Sequence, residues 1–296
     1  MVGVTRVLAV ANQKGGVAKT TTVASLGAAL VAEGQRVLLV DLDPQGCLTF
    51  SLGSDPDKLP VSVHEVLLGD VEPSAALVHT QEGMSLLPAN IDLAGAEAML
   101  LMRAGREYAL KRALDKLSGA AGPATSDQAT DPFDVVIIDC PPSLGVLTLN
   151  GLTAADEVIV PLQCETLAHR GVGQFLRTVA DVQQITNPKL KLLGALPTLF
   201  DSRTTHSRDV LFDVADRYDL PVLSPPIPRT VRFAEASASG SSVLAGRKNK
   251  GASAYRELAK GLLRHWKSGT ALPTISPEVE SERGVAGRSS ARRPRR

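Results

Sequence analysis

Little in this sequence points to a stapled or metal-built fold. Its three cysteines, Cys47, Cys140 and Cys164, form no CxxC pair. Their odd number and wide spacing give no disulfide or zinc framework, which leaves small buried thiols in a reducing compartment. Long apolar runs are missing as well. The stretch RVLAVA, residues 6–11, runs straight into polar NQK and is too short for a secretory leader or a membrane span. An excess of one charge is also missing: 32 Lys+Arg stand against 31 Asp+Glu, a formal +1. Residues 268–296 carry six Arg and three Glu, net +3, so the rest of the chain is net −2. That excludes a whole-body field for nucleic acid, and any such contact must come from a local patch. No internal repeat is visible.

What is present is a hydrophobic content of 44% in 296 residues, enough for a substantial core. Short apolar runs alternate with helical patterns. Strands are expected at RVLAVA (6–11), RVLLVDLD (36–43), MSLLPA (84–89), FDVVIID (133–139), EVIVPLQ (157–163), KLLGALPTLF (191–200) and PVLSPPI (221–227). Helices are expected at 20–34, with Gly34 as the stop, and at 94–117, 169–186 and 252–269. Continuous apolar strands separated by helices predict an α/β fold, a mostly parallel sheet covered by helices on both faces. One domain is expected over 1–267. A flexible surface loop is expected at about 119–132, and a disordered Arg-rich tail over 268–296.

The informative stretch is NQKGGVAKTTT, residues 12–22. It follows a strand and opens a helix, the position of a phosphate cradle. Gly15 and Gly16 permit close backbone approach. The N–H groups of Gly15, Gly16, Val17 and Ala18 can point at phosphate, and the helix dipole adds positive potential. Lys19 would reach the β- and γ-phosphates, the Thr20 hydroxyl would bind Mg²⁺, and Thr21 would contact the α-phosphate. Gln13 and Ala18 stand where the usual P-loop pattern has glycine, and Lys14 is an extra lysine. Asp139 ends a strand as a Walker-B acid does. Asp41 and Asp43 end the strand after the loop helix, so all three carboxylates are expected at the same sheet edge.

KGGVAKTT, VLLVDLDPQG and VVIIDCPPSLG resemble the deviant Walker-A ATPases of the ParA/Soj/MinD family, as do ALPTLFDSRT and PPIPRTVRFAEASASG further on. The resemblance runs from about Arg6 to Trp266. It implies a P-loop ATPase with ATP and Mg²⁺ as cofactors. In it Lys14 is the signature lysine, reaching across an ATP-sandwich homodimer to the partner's phosphates. Gln13 is normal in the Soj-like branch. Ala18 departs from the family's glycine, and its methyl is tolerable there if the residue keeps a negative φ. Asp43 would position the attacking water. Asp41 and Asp139 would support Mg²⁺, and Pro228 and Thr230 would hold the adenine side.

Two main branches compete. A partition ATPase binds nonspecific DNA as an ATP dimer and is released by a ParB-like partner, as a cytoplasmic, nucleoid-associated protein. A MinD-like ATPase, or an orphan paralogue, positions another cargo, at the membrane in the MinD case. DLDPQG favours the first, and the tail has no apolar stripe for membrane docking. A nitrogenase-type reading needs bridging cysteines, and DCPPS around Cys140 is common in Soj-like sequences. The cations Arg203, Arg208, Arg229, Arg232, Arg247, Lys248 and Lys250 crowd the last third. Arg203, Arg229, Arg232, Arg247 and Lys248 are the DNA candidates, through phosphate contacts without sequence preference. No helix-turn-helix extension precedes the ATPase segment, so operator binding is not expected.

Overall fold

The computed structural model describes residues 5–117, 133–164, 168–201 and 204–275. The loop expected at 119–132 and most of the expected tail lie outside them. In chain order the elements are β1 (Arg6–Val10), α1 (Lys19–Ala32), β2 (Val37–Asp41), α2 (Cys47–Ser51), α3 (Val63–Leu68), β3 (Val78–His79), β4 (Ser85–Leu87), α4 (Leu93–Leu101), α5 (Ala109–Leu117), β5 (Val135–Asp139), α6 (Val146–Ala154), β6 (Glu157–Gln163), α7 (Ala168–Ile185), β7 (Lys191–Thr198), α8 (Thr205–Tyr218), α9 (Arg232–Ala238) and α10 (Lys250–Ser268).

The seven strands form one sheet in the order β3-β4-β2-β5-β1-β6-β7. All pairings are parallel except β3 with β4. Every residue of β2 and β5 is buried, as expected of central strands covered on both sides. One face carries α4, α5, α6 and α7, through Leu93, Leu110, Leu147 and Phe175. The other carries α1 and α10, through Leu26, Leu30, Tyr255 and Leu262. Phe175 is fully buried, and truncating it to Ala would cost about 3–5 kcal/mol. The hydroxyls of Thr22 and Tyr255 meet at 2.9 Å and tie α1 to α10. This order sets the C-terminal ends of β1, β2 and β5 side by side. Val10 and Asp41 both pair in register with Asp139.

The expected sheet class is thus the observed one, with four local differences. The helix expected over 94–117 is split, because Gly105 adopts a left-handed φ of 63° between α4 and α5. β2 stops at Asp41 because the Asp41 carboxylate accepts the Asp43 N–H at 3.1 Å and turns the chain. PVLSPPI forms only isolated bridges, Ala195 with Val222 and Leu223 with Thr274, since Pro221, Pro225 and Pro226 remove backbone donors. The second bridge moves the expected tail boundary. The Ser224 N–H donates to the Pro273 carbonyl and the Ile275 N–H to that of Val222, each at 2.8 Å, so ordered pairing continues to Ile275. At Gly34 the expected stop holds: φ is 84° and its N–H donates to the Val31 carbonyl at 2.9 Å.

Candidate nucleotide site

The loop between β1 and α1 is tied to two other strands, by its own Asn12 and by Thr198. The Asn12 amide donates to the Pro161 carbonyl on β6 at 2.8 Å, and its oxygen accepts the Lys14 N–H at 3.0 Å. The buried Thr198 hydroxyl, ending β7, donates to the Val17 carbonyl at 2.9 Å. Neither anchor was picked out by the sequence reading, although a polar Asn ending an apolar strand is a visible signal. Gly16 has φ 74° with open space around it. Ala18 has φ 64° and ψ 35°. The condition set for it, a negative φ, is not met. Its Cβ stands in the left-handed region, at a cost of roughly 1–2 kcal/mol. Leu199, just after the Thr198 anchor, is also left-handed, with φ 50°.

A cavity of about 460 Å³ opens beside this loop, within the size range of small-molecule sites. Gly15, Gly16, Ala18, Lys19, Thr20 and Thr21 form one wall, with Asp43 beside them. Leu199, Phe233, Ser237 and Ser241 face them. Val17 is buried behind the loop. Lys14 is half-buried and lies outside the lining. Lys19 is 7% exposed, and its ammonium donates to the Lys14 carbonyl at 3.0 Å. Burial pulls its pKa below the usual range, while Asp139, Cys140 and Asp43 oppose that pull.

Asp41, Asp43 and Asp139 do gather here, in unequal settings. Asp41 is fully buried. One oxygen accepts the Thr49 N–H at 2.9 Å and the Thr49 hydroxyl at 2.8 Å, and the other accepts the Asp43 N–H. Burial pushes its carboxyl up to about 6 against those bonds. Asp41, expected to support Mg²⁺, has its hydrogen bonds on the turn carrying Asp43 and on Thr49 of α2. Asp43 reaches the cavity, and its own oxygen accepts the Gln45 N–H at 3.0 Å. Gly46, at φ 59°, permits this turn; a Cβ there would stand 2.9 Å from the Ala89 carbonyl. Asp139 is 1% exposed, and neither carboxylate oxygen has a partner in good hydrogen-bond geometry, the Thr20 hydroxyl being the near donor. Burial and then the Asp41 charge hold its pKa well above the usual range. The neighbouring Thr20 hydroxyl and Lys19 offset part of that rise. No group of three His, Cys, Asp or Glu that could hold a metal occurs among the described residues. An ion here would depend on the Thr20 hydroxyl, phosphate oxygens and water.

An AAA-domain family model matches residues 5–192. The chromosome partitioning protein ParA of Caulobacter vibrioides is 43% identical over 260 residues, covering 87% of this chain and 94% of that one. The sporulation initiation inhibitor protein Soj of Bacillus subtilis is 41% identical over 257 residues, covering 86% and 97%. The chain belongs to the ParA/Soj family of P-loop ATPases. A solved structure from Mycobacterium smegmatis, named cobyrinic acid a,c-diamide synthase and holding an ATP analogue and magnesium, is 78% identical. It superposes with a TM-score of 0.81, covering 92% of this chain and 100% of that one.

Against the ParA/Soj expectations, the outer residues are placed unevenly. Pro228 lines a separate groove with Phe200, Pro225 and Lys248, and Thr230 accepts the Arg232 N–H, so neither lines the loop cavity. Phe233 and the serines of the following turn stand there instead, and the sequence reading did not single them out. Phe233 packs edge-on against Tyr255, ring centroids 6.0 Å apart. Arg232, Arg247 and Lys248 are exposed and share a groove of about 530 Å³. Arg232 also pairs with Glu235 at 2.7 Å. Arg229 is exposed outside that groove, and Lys250 opens α10. Arg203 lies outside the described residues, as does the side chain of Arg208 on α8. Cys140 and Cys164 are buried as expected, whereas Cys47 is exposed and lines the loop cavity, against the expectation of a buried thiol. No helix among the described residues is long and apolar enough to cross a membrane.

Proposed function

We propose that this chain is a partition-type ATP hydrolase. With ATP and Mg²⁺ bound it forms a sandwich homodimer that holds DNA of any sequence at the nucleoid. A ParB-like partner raises its weak basal turnover and so releases it. The observation that carries the reading is Asp139: a buried carboxylate with two unpartnered oxygens beside Thr20 at the root of the phosphate loop. A buried unsatisfied acid is costly unless a ligand completes it, and a hydrated cation does so. Magnesium would be held by Thr20 and, through water, by Asp139, and it supplies neutralisation of phosphate charge.

This chain's own groups do the rest. The loop N–H groups and the Lys19 ammonium bind the phosphates. Asp43, held by its N–H on Asp41, orients the attacking water for in-line transfer. Lys14 completes the partner's site in the dimer. Arg232, Arg247, Lys248 and Arg229, with Arg203, meet DNA phosphates. The test is Asp43→Ala: it should bind ATP, lose most turnover and accumulate as dimer on size exclusion. Turnover at the wild-type rate would leave Asp43 a structural residue only.

The name of the M. smegmatis structure motivates a second reading. The γ-phosphoryl group would then pass to a carboxylate of cobyrinic acid, and ammonia would displace phosphate to leave an amide. The exposed cationic groove favours the partition reading. ADP release stimulated by cobyrinic acid plus ammonium, and not by DNA with a ParB-like protein, would reverse that preference.

A further inference from the structure

Ala236, Ser241, Ser242 and Val243 line two cavities at once: the one beside the phosphate loop and the groove carrying Arg232, Arg247 and Lys248. The end of α9 and the turn after it form the wall between them. It is held from several sides. Glu82, in the turn between β3 and β4, accepts the Ser242 N–H at 2.7 Å and the Ser242 hydroxyl at 2.6 Å. Ser242 is 2% exposed, so these charge-assisted bonds are shielded from water. Gly240, at φ 68°, lies against Gly53, at φ 88°; a Cβ on Gly240 would stand 3.0 Å from the Gly53 Cα. Downstream, the Asn249 amide donates to the carbonyls of Val243 at 3.4 Å and Arg247 at 3.0 Å. The Asn249 oxygen caps α10 by accepting the Ala252 N–H at 2.9 Å. A connected series thus runs from Glu82 through Ser242, Val243 and Asn249 to the backbone that carries Arg247 and Lys248.

Glu82 itself lines neither cavity. We propose that Glu82 is a positioning residue, holding this shared turn so that nucleotide in the cavity fixes the placement of the cations in the groove. This rests on the nucleotide reading of the loop cavity. Val243 and Ser242 are buried and anchor the turn, whereas Ser237, Ser239 and Ser241 stay partly or fully exposed, so a ligand can still add order on that side. A ligand against Ser237 and Ser241 orders one side of it, and the hydrogen-bonded series carries that order to the other side. Two sites that share one ordered element are coupled in free energy.

Hydrogen exchange on the full chain tests this, with and without ATP and Mg²⁺, alongside titration with a fluorescent ATP analogue. In the wild type, nucleotide should slow exchange of the amides from Ser241 to Asn249 by about fivefold or more. Glu82→Ala should still bind the analogue but lose that protection over 247–249. Glu82→Gln, with one acceptor oxygen left for Ser242, should retain part of it and decides the matter if the alanine variant does not fold. Wild-type protection in a folded Glu82→Ala or an unaffected Glu82→Gln overturns the proposal. So does a wild type that binds nucleotide with no slowing at 241–249, and in these cases the nucleotide reading stands. A wild type that does not bind the analogue overturns both, and the titration alone shows it.

Discussion

Asp41 and Asp139 face one another in register on adjacent parallel strands, yet Asp41 has both oxygens hydrogen-bonded and Asp139 has neither. The pair divides the strand ends: one acid shapes the turn that carries Asp43, and the other is the acid proposed to meet a hydrated cation. Both pKa values are raised, so folding favours the protonated acids. The stability these acids contribute is present at low pH and is lost as pH rises through the folded pKa. For Asp41 the window runs from about 4 to about 6, a loss of about 3 kcal/mol for that shift. Asp139→Asn should therefore raise the thermal midpoint of the nucleotide-free protein at pH 7.5 while removing Mg²⁺-dependent turnover. Differential scanning calorimetry decides, and a lowered midpoint would refute the unsatisfied-acid account.

Ala18 holds a left-handed φ with a methyl group attached. Ala18→Gly removes the clash and adds freedom to the unfolded chain, so the net gain should be positive but below about 1 kcal/mol. Basal turnover should rise if the methyl restrains the loop. Ala18→Val should be worse than wild type in both respects, because a branched side chain is poorer still at positive φ. Chemical denaturation of the three proteins orders them.

Lys19→Ala should abolish nucleotide binding, since the buried ammonium at the loop is lost. Lys14→Ala should bind ATP as a monomer and fail to dimerise. Size exclusion with a nonhydrolysable analogue separates the two outcomes. A Lys14→Ala protein that still dimerises would remove its role across the interface.

Arg232→Glu combined with Arg247→Glu should weaken duplex binding strongly and leave the ATP dimer intact. Wild-type affinity should fall linearly on a log–log plot against salt, as counterion release requires. Flotation of the ATP form with anionic liposomes, together with no duplex binding at low salt, would move the chain to the MinD-like branch.

Much of this is legible in the sequence. EVIVPLQ spans the observed β6 because its run is apolar and its ends are polar. Lys19, Thr20, Thr21, Asp43 and Asp139 could be gathered from motif spacing, because a parallel sheet sends successive strand ends to one edge. The roles of Asp41 and Ala18 were not legible, since they depend on a Thr49 contact eight residues on and on a backbone angle. Phe233, Ser237 and Ser241 also escaped, because a cavity wall facing a loop more than two hundred residues away leaves no periodic trace. Gly105 broke a helix whose apolar pattern gave no warning.

The anchors on the phosphate loop have one more consequence. Asn12 fastens it to β6 and Thr198 fastens it to β7. The loop's shape is therefore settled when the sheet assembles, long before a ligand arrives. A floppy glycine-rich segment would have to surrender about 1–2 kcal/mol of backbone freedom per residue on closing around phosphate. Here much of that entropy has already been lost in folding, so a ligand meets a loop with its backbone already placed, and discrimination among ligands rests more on fit than on which one can best organise a loop.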